Sequence, residues 1–176
     1  MTGPARPSPK SLAFWLAATL IVVGDYLTKR IAEASLSLNV PRQVFGDWVR
    51  FTLSYNVGAA MNVSVGSWSR VVLSAVAVAM VGALYRMYRV ADGRDAWQTL
   101  ALGLVAGGAL GNLLDRLRSA RGVVDFIDLG SPAWRFWIFN IADFGVTAGA
   151  VLLAIVLWRR PAPRPEPVES PAADHP

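Results

Sequence analysis

Residues 103–116 read GLVAGGALGNLLDR, and this segment carries the strongest structural signal in the chain. Three of its glycines recur at intervals of four residues: Gly103, Gly107 and Gly111. Small residues at that spacing let helix backbones approach closely within lipid. The run then ends on Asn112, Asp115 and Arg116. Because an ionisable group in a membrane-embedded helix is costly, these residues are expected to have a partner or a function.

The composition of the whole chain indicates a membrane protein. Of its 176 residues, 54% are hydrophobic and only 16% are charged, whereas about 25% are charged in an ordinary soluble domain. A spanning helix needs ~20 mostly apolar residues. Four windows are candidates for such spans: Leu12–Thr28, Val71–Tyr88, Ala96–Leu114 and Ile138–Trp158. The sequence therefore predicts an α-helical integral membrane protein with four transmembrane helices.

The residue types that are present restrict the possible chemistry. The chain has no cysteine, and its one histidine, His175, lies next to the end of a proline-rich tail. We therefore expect no metal site, no cofactor and no nucleophile that depends on cysteine or histidine. Any catalysis should use carboxylates or a Ser-Lys pair. The net charge of +5 comes from arginines at the ends of apolar runs, which is typical of headgroup anchors rather than of nucleic-acid binding.

Two segments between the predicted spans differ in composition from the predicted helices. Residues 37–62 are rich in β-branched and aromatic types, and Gly46-Asp47 supplies a hairpin turn signal. They predict a small sheet or hairpin outside the hydrocarbon. Residues 118–137 contain GVVDFIDL (122–129), an alternating, strand-like run that could cover a cleft.

The ends of the chain are expected to be tails on one transmembrane domain. Residues 1–10 are predicted to be a cytoplasmic N-terminal tail, 11–160 a single transmembrane domain, and 161–176 a disordered proline-rich C-terminal tail. The start also resembles a secretory signal peptide with AEA (32–34) as a cleavage site. Charged residues shortly before that site argue against removal, so a retained first helix is expected.

Alternating helix directions bring several polar residues to one membrane face. Asp25 and Asp115 lie near the exit ends of the first and third spans, Asp143 lies at the start of the fourth, and Asn56 is in a loop on the same side. If the termini are cytoplasmic, eight Lys/Arg residues lie inside and nine outside. Discounting long loops favours cytoplasmic termini, with the acids near the outer face.

Two helices each present an Asn-x-x-Asp pair at this depth. Asn112 and Asp115 are three residues apart, as are Asn140 and Asp143, so each pair lies on one helical face. If the faces oppose one another, Asp115 and Asp143 would share one proton, because both cannot ionise cheaply. Such a pair can activate water and protonate a scissile carbonyl, as in aspartic proteases.

Each acid also has an interpretation without catalysis. Asp143 could be a first-turn acid favoured by the helix dipole, and Asp115 with Arg116 could form an interfacial ion pair. The sequence gives no preference between structural and substrate-facing roles for Asp125 and Asp128.

The sequence is also compatible with three other functions. A Ser-Lys peptidase would need Lys29, but Asp25 at i−4 would keep that amine protonated and more plausibly forms a geometry-locking pair with it. A proton-coupled carrier using Asp115 and Asp143 and a non-catalytic scaffold are the remaining alternatives.

Five motifs together resemble those of the type II, or lipoprotein, signal peptidases. In order they are DYLTK (25–29), NVGAAMN (56–62), GGALGNLLDR (107–116), VVDFID (123–128) and FNIADF (139–144). The resemblance spans residues 12–158. It implies an inner-membrane aspartyl endopeptidase with four transmembrane helices and a small extracytoplasmic β-rich cradle (about residues 37–62). This enzyme would cleave diacylglyceryl-modified prolipoproteins before the lipidated cysteine. The expected partners are these substrates and membrane lipid, and we expect a monomer.

The resemblance also implies roles for individual residues. Asp115 and Asp143 would be the catalytic dyad, and Asn112 and Asn140 would orient them or the tetrahedral intermediate. Supporting residues would be Asn56 and Arg116 at the substrate, with Asp25, Lys29, Gly108 and Gly111 as structural neighbours. Two positions depart from the family pattern, Met61 and Phe144. We expect both to alter the packing of the pocket.

Overall fold

The computed structural model describes residues 8–58, 66–92 and 95–159. Within these ranges four helices are long and apolar enough to cross a membrane. Their bounds are α1 Pro9–Ser35, α2 Ser69–Val90 (preceded by a single 3-10 turn, Gly66–Trp68), α3 Ala96–Arg118 and α4 Ile141–Trp158. The predicted four-helix membrane architecture is confirmed.

Helix α3 is the centre of the bundle. It packs against each of the other three helices, and it is by far the most buried of the four spans. Helices α1, α2 and α4 instead expose large apolar side chains such as Leu20, Val76 and Val151. Such exposure suits helices whose outward faces contact lipid.

The predicted close approach of glycine-bearing helices is confirmed. A Cβ added to Gly103 would lie 2.5 Å from the backbone oxygen of Phe14, and one added to Gly107 would lie 2.8 Å from that of Ala18. Any side chain larger than hydrogen would therefore force α1 away from α3. Gly149 makes the corresponding close contact between α4 and the backbone oxygen of Ala101.

Helix α1 is longer at both ends than the predicted window. It begins at Pro9, because the Ser8 side chain accepts a hydrogen bond from the backbone N–H of Ser11 and proline is well suited to the first turn. The last residues of the predicted tail 1–10 are therefore helical. Residues 1–7 of that tail, and the predicted tail 161–176, lie outside the described residues.

Three short strands form an antiparallel sheet at one end of the bundle. They are β1 Arg42–Phe45, β2 Val49–Asn56 and β3 Val123–Leu129, in the spatial order β1-β2-β3. The predicted hairpin turn at Gly46-Asp47 is confirmed by the pairing of β1 with β2.

The segment predicted to cover the cleft is part of this same sheet. Strand β3 pairs with β2, with Asn56 opposite Val123 and Ser54 opposite Asp125. Its first four residues are all buried rather than alternately exposed. The reason is that β3 pairs with β2 and also packs against helices α1 and α3. This placement brings a third element, with its own carboxylates, to the polar end of the bundle.

Candidate active site

A cavity of about 730 Å³ opens where the sheet meets helices α2, α3 and α4. Its polar lining consists of Ser54, Tyr55, Asn56, Asn112, Arg116, Asp125, Asp143 and Thr147. Its apolar walls come mainly from α2 and α4, and include Leu73, Val76, Ala77, Met80 and Val146. The cavity thus joins an apolar surface at membrane depth to a cluster of carboxylates and amides.

Asp143 is fixed in the first turn of α4 by a reciprocal cap. The Asn140 side-chain oxygen accepts from the backbone N–H of Asp143 at 3.0 Å, and Asp143 Oδ2 accepts from the backbone N–H of Asn140 at 3.2 Å. A carboxylate at this position is also stabilised by the helix dipole. The cap leaves Asp143 at the cavity wall with a defined rotamer.

Asn112 connects Asp143 to Lys29, which belongs to a buried charged cluster. Its Nδ2 donates to Asp143 Oδ1 at 2.8 Å, while its Oδ1 accepts from Lys29 Nζ at 3.0 Å and from Asn140 Nδ2 at 3.2 Å. Because an ammonium group can only donate, Lys29 determines which way the Asn112 amide points. The two predicted Asn-x-x-Asp faces therefore do meet.

Asn140 links Asp143 to a different acid, Asp125 on β3. Its Nδ2 donates to Asp125 Oδ1 at 2.6 Å and to the Val124 backbone oxygen at 3.3 Å. The Asn140 side chain is fully buried. Asn140 thus contacts both cavity-lining carboxylates: its side-chain nitrogen donates to Asp125, and its backbone N–H donates to Asp143.

The environment of Asp125 favours its protonated form. Burial, followed by the nearby Asp143 carboxylate, raises the pKa of Asp125 to about 7, although hydrogen bonds from Asn140 and Asn56 oppose the shift. A carboxyl group with such a pKa can hold a proton at neutral pH and release it during a reaction.

Asp115 occupies a different environment from Asp125. Its Oδ2 lies 2.9 Å from Lys29 Nζ and accepts from the Val124 backbone N–H at 3.1 Å, and its Oδ1 lies 3.5 Å from Arg30. Asp115 is buried and is not among the residues that line the cavity. Its contacts with two cations of α1 and with the β3 backbone tie α1, α3 and β3 together.

Lys29 is the centre of this buried charge cluster. Besides Asp115 it contacts Asp25 Oδ2 at 2.7 Å, and both Lys29 and Asp25 are about 1% exposed. Asp25 Oδ1 in turn accepts from the Ala142 backbone N–H at the start of α4, at 2.9 Å. The cluster therefore ties α1, α3 and α4 together directly beside the cavity.

Arg116 and Asn56 support the loop that follows β2. Arg116 donates to the backbone oxygens of Asn112, at 3.2 Å, and of Gly58, at 3.0 Å. Asn56 Oδ1 accepts from the Gly58 backbone N–H at 2.9 Å. The alternative ion pair between Arg116 and Asp115 is absent from the side-chain contacts of these described residues. Both Arg116 and Asn56 line the cavity.

The two glycines predicted near the site have steric reasons to be glycine. A Cβ at Gly108 would lie 2.3 Å from the Ala142 backbone oxygen, and one at Gly111 would lie 2.7 Å from Asp25 Oδ2. Of the two departures from the family pattern, Met61 lies outside the described residues. Phe144 is 59% exposed and does not line the cavity, so its predicted effect on pocket packing has no support in the geometry.

Comparison with known proteins places the chain in a family. The family model described as Signal peptidase (SPase) II matches residues 17–159. A lipoprotein signal peptidase of Rhodococcus jostii is 38% identical, with 88% of this chain and 79% of that protein covered. A Coxiella burnetii protein of the same name is 33% identical, with 91% of this chain and 98% of that protein covered.

Solved structures support the same relationship. A bacterial membrane enzyme solved by the in meso method at 2.3 Å resolution matches with a TM-score of 0.73 and 28% identity, covering 85% of this chain and 93% of that one. A second such structure, at 1.9 Å resolution, matches with a TM-score of 0.72 and 30% identity. Sequence and fold thus agree, and the chain belongs to the signal peptidase II family of membrane peptidases.

Proposed function

We propose that this protein is an intramembrane aspartyl endopeptidase that removes the signal peptide from diacylglyceryl-modified prolipoproteins, cleaving before the lipidated cysteine. The observation that carries the proposal is the pair Asp125 and Asp143, which line one cavity and whose carboxylates both accept hydrogen bonds from Asn140, one from its side chain and one from its backbone N–H. The resemblance named Asp115 as the partner of Asp143. The contacts favour Asp125 instead, because Asp115 is already neutralised by Lys29 and lies outside the cavity lining.

The proposed reaction needs one proton shared between the two acids. The Asp143 carboxylate removes a proton from water as the water oxygen attacks the scissile carbonyl carbon, and Asp125 donates its proton to the carbonyl oxygen. In the second step Asp143 passes its proton to the leaving nitrogen. The C–N bond then breaks, and a hydroxyl proton of the intermediate returns to Asp125.

The surrounding residues have positioning roles in this proposal. Asn112 and Asn140 orient the acids, and Arg116 and Asn56 hold the loop that borders the substrate. The apolar walls on α2 and α4 would receive the acyl chains of the substrate. Among the described residues α2 and α4 make at most marginal contact, so a lipid-modified peptide could enter laterally between them.

We further propose that the protein lies in the cytoplasmic membrane of a bacterium with both termini cytoplasmic. Four spans place both ends of the described chain on one side and the cavity on the other. In this orientation the cavity faces the side to which lipoprotein precursors are exported.

The alternative functions are less compatible with the contacts. A Ser-Lys mechanism would need a neutral Lys29, yet the three contacts of its ammonium group are Asp25, Asp115 and Asn112. Lys29 is also not among the residues that line the cavity. Membership of a peptidase family leaves the carrier and the non-catalytic scaffold without a specific supporting observation.

The proposed specificity is tested with a matched pair of substrates. A prolipoprotein carrying the diacylglyceryl group should be cleaved in a gel-shift assay, and the same precursor with serine in place of the modified cysteine should not. The reason is that the acyl chains deliver the peptide to the apolar walls. Equal cleavage of both precursors would contradict the proposal.

The pKa of Asp125, about 7, predicts the pH dependence of cleavage. Because Asp125 must be protonated to donate, the rate should fall above about pH 7, by about tenfold per pH unit. In the folded protein Asp125 keeps its proton up to about pH 7, whereas in the unfolded chain the same carboxyl group loses it above about pH 4. The free energy of unfolding should therefore decrease as the pH rises from about 4 to about 7.

This profile is measured as cleavage rate against pH with detergent-solubilised protein. Asp47→Asn serves as a control, since Asp47 lies on the hairpin turn and pairs with Arg50, away from the cavity. The control should keep the wild-type profile. A rate that stays constant from about pH 6 to about pH 9 would be inconsistent with Asp125 as the proton donor.

A further inference from the structure

A group of arginines surrounds Glu33 at the sheet end of the bundle, outside the cavity. The Glu33 carboxylate pairs with Arg30, lies 3.8 Å from Arg118 and 3.7 Å from Arg121, and accepts from the Tyr55 hydroxyl at 3.1 Å. Arg118 and Arg121 are largely exposed, with 51% and 65% of their side chains accessible. The two belong to the end of α3 and the turn that follows it.

This group carries more positive than negative charge. If Arg30 is assigned to Asp115, which it also contacts, Glu33 can still neutralise only one of Arg118 and Arg121. Arg70 adds another exposed cation at the same helix end, where it donates to the backbone oxygens of Arg116 and Leu117. An anion at this position would therefore find at least one guanidinium group without a full counter-charge.

Exposed apolar side chains on α1 and α3 lie next to the arginines along both helices. At the opposite end of the bundle α1 and α2 touch, with the rings of Phe14 and Tyr88 stacked 4.3 Å apart. Toward the arginine end α3 exposes Leu114 and Leu117, and α1 exposes Ile31. Leu114, Leu117 and Arg118 have the i, i+3, i+4 spacing of one helical face.

We propose that this surface binds an anionic phospholipid. The phosphate would be held by Arg118 and Arg121, because guanidinium groups bind phosphate oxygens in a bidentate manner. The acyl chains would lie along Leu114, Leu117 and Ile31, so the site recognises a lipid rather than a free phosphate. None of these five residues lines the proposed catalytic cavity, so the site is separate from that of the substrate.

Binding here would connect the membrane to the sheet. The guanidinium of Arg121 lies over the Tyr55 ring at 4.3 Å from its centroid, and Tyr55 on β2 lines the cavity. A lipid headgroup on Arg121 would therefore restrain the C-terminal end of β2 beside the proposed active site.

The test is native mass spectrometry of the full-length protein, equilibrated in detergent with equal amounts of phosphatidylglycerol and phosphatidylcholine of the same acyl chains. The double variant Arg118→Gln/Arg121→Gln is compared with Arg86→Gln/Arg159→Gln, which removes two exposed arginines at the other end of the bundle. Thermal unfolding of each variant checks that it is folded. Arg118→Lys/Arg121→Lys retains the charge and provides a further comparison.

Wild type should retain phosphatidylglycerol in preference to phosphatidylcholine. The Arg118/Arg121 glutamine variant should bind it about 30-fold less tightly, at about fivefold per arginine, whereas the Arg86/Arg159 variant should match wild type. The lysine variant should keep most of the binding. Equal retention of the two lipids, an equal loss in both glutamine variants, or full displacement by soluble glycerol phosphate would overturn the proposal.

Discussion

Replacing Asp143 by Asn is expected to lower the rate of prolipoprotein cleavage by about 10⁴-fold while the protein stays folded. The substitution removes the carboxylate that is proposed to take the proton from water. It preserves the shape of the side chain and the hydrogen bond that Asn140 receives from the backbone N–H of residue 143. The measurement is a single-turnover gel-shift assay with lipid-modified precursor.

A double variant makes this experiment more specific. If Asp125 and Asp143 act as one unit, Asp125→Asn/Asp143→Asn should be no slower than Asp143→Asn alone, because groups that share one proton transfer have non-additive effects. Asp92→Asn is a control, since Asp92 lies in the loop between α2 and α3 at the opposite membrane end. Undiminished cleavage by Asp143→Asn would remove the basis of the proposed mechanism.

Replacing Lys29 by Met is expected to reduce stability strongly. The substitution keeps a long apolar stem but leaves Asp25 and Asp115 without their shared cation, and all three groups are buried. Breaking a buried ion pair in this way costs about 3 to 5 kcal/mol. Cleavage should fall as well, because Asn112 loses the donor that fixes its amide. Unfolding in denaturing detergent measures the effect.

The control is the other lysine of the chain, Lys10. It caps the C-terminal end of α2 by donating to the backbone oxygens of Arg89, at 3.3 Å, and Ala91, at 2.5 Å. Lys10→Met should cost only about 1 kcal/mol. Adding Asp25→Asn to Lys29→Met should restore part of the stability, because it removes one uncompensated charge. If Lys10→Met and Lys29→Met are equally mild, the buried cluster does not stabilise the bundle.

The sequence was sufficient to predict the helices and the meeting of their polar faces. Apolar windows of spanning length locate all four helices, and alternating directions bring Asp25, Asp115 and Asp143 to one end. The glycine spacing on α3 correctly predicted close packing, since a hydrogen side chain is required where Gly103 meets the α1 backbone. These features depend on local pattern and topology alone.

The contacts of Asp125 were harder to predict, because they depend on the pairing of β3 with β2, and 66 residues of chain separate the two strands. The alternation in residues 122–129 suggested a half-exposed cover, whereas β3 pairs with β2 and its first four residues are buried. A usable signal was present: an acid in the middle of the apolar run VVDF is costly to bury without a partner. The partners, Asn140 and Asn56, become visible only in the fold.

Asp115 is a second acid whose surroundings the sequence could not show. Its spacing from Asn112 matches that of Asp143 from Asn140, so the pattern treats the two acids as equivalent. In the fold Asp115 faces Lys29, and only Asp143 lines the cavity. Periodicity gives the helix face but not which neighbouring helix supplies a counter-charge to it.

The decisive measurement compares Asp125→Asn with Asp115→Asn in the same cleavage assay, with rates normalised to folded protein. Removal of the proton donor should make Asp125→Asn slower by about 10³-fold or more. Asp115→Asn should keep readily measurable cleavage, because Lys29 retains its contact with Asp25. The reverse order, with Asp115→Asn inactive and Asp125→Asn close to wild type, would contradict the assignment of Asp125 and Asp143 as the reacting pair.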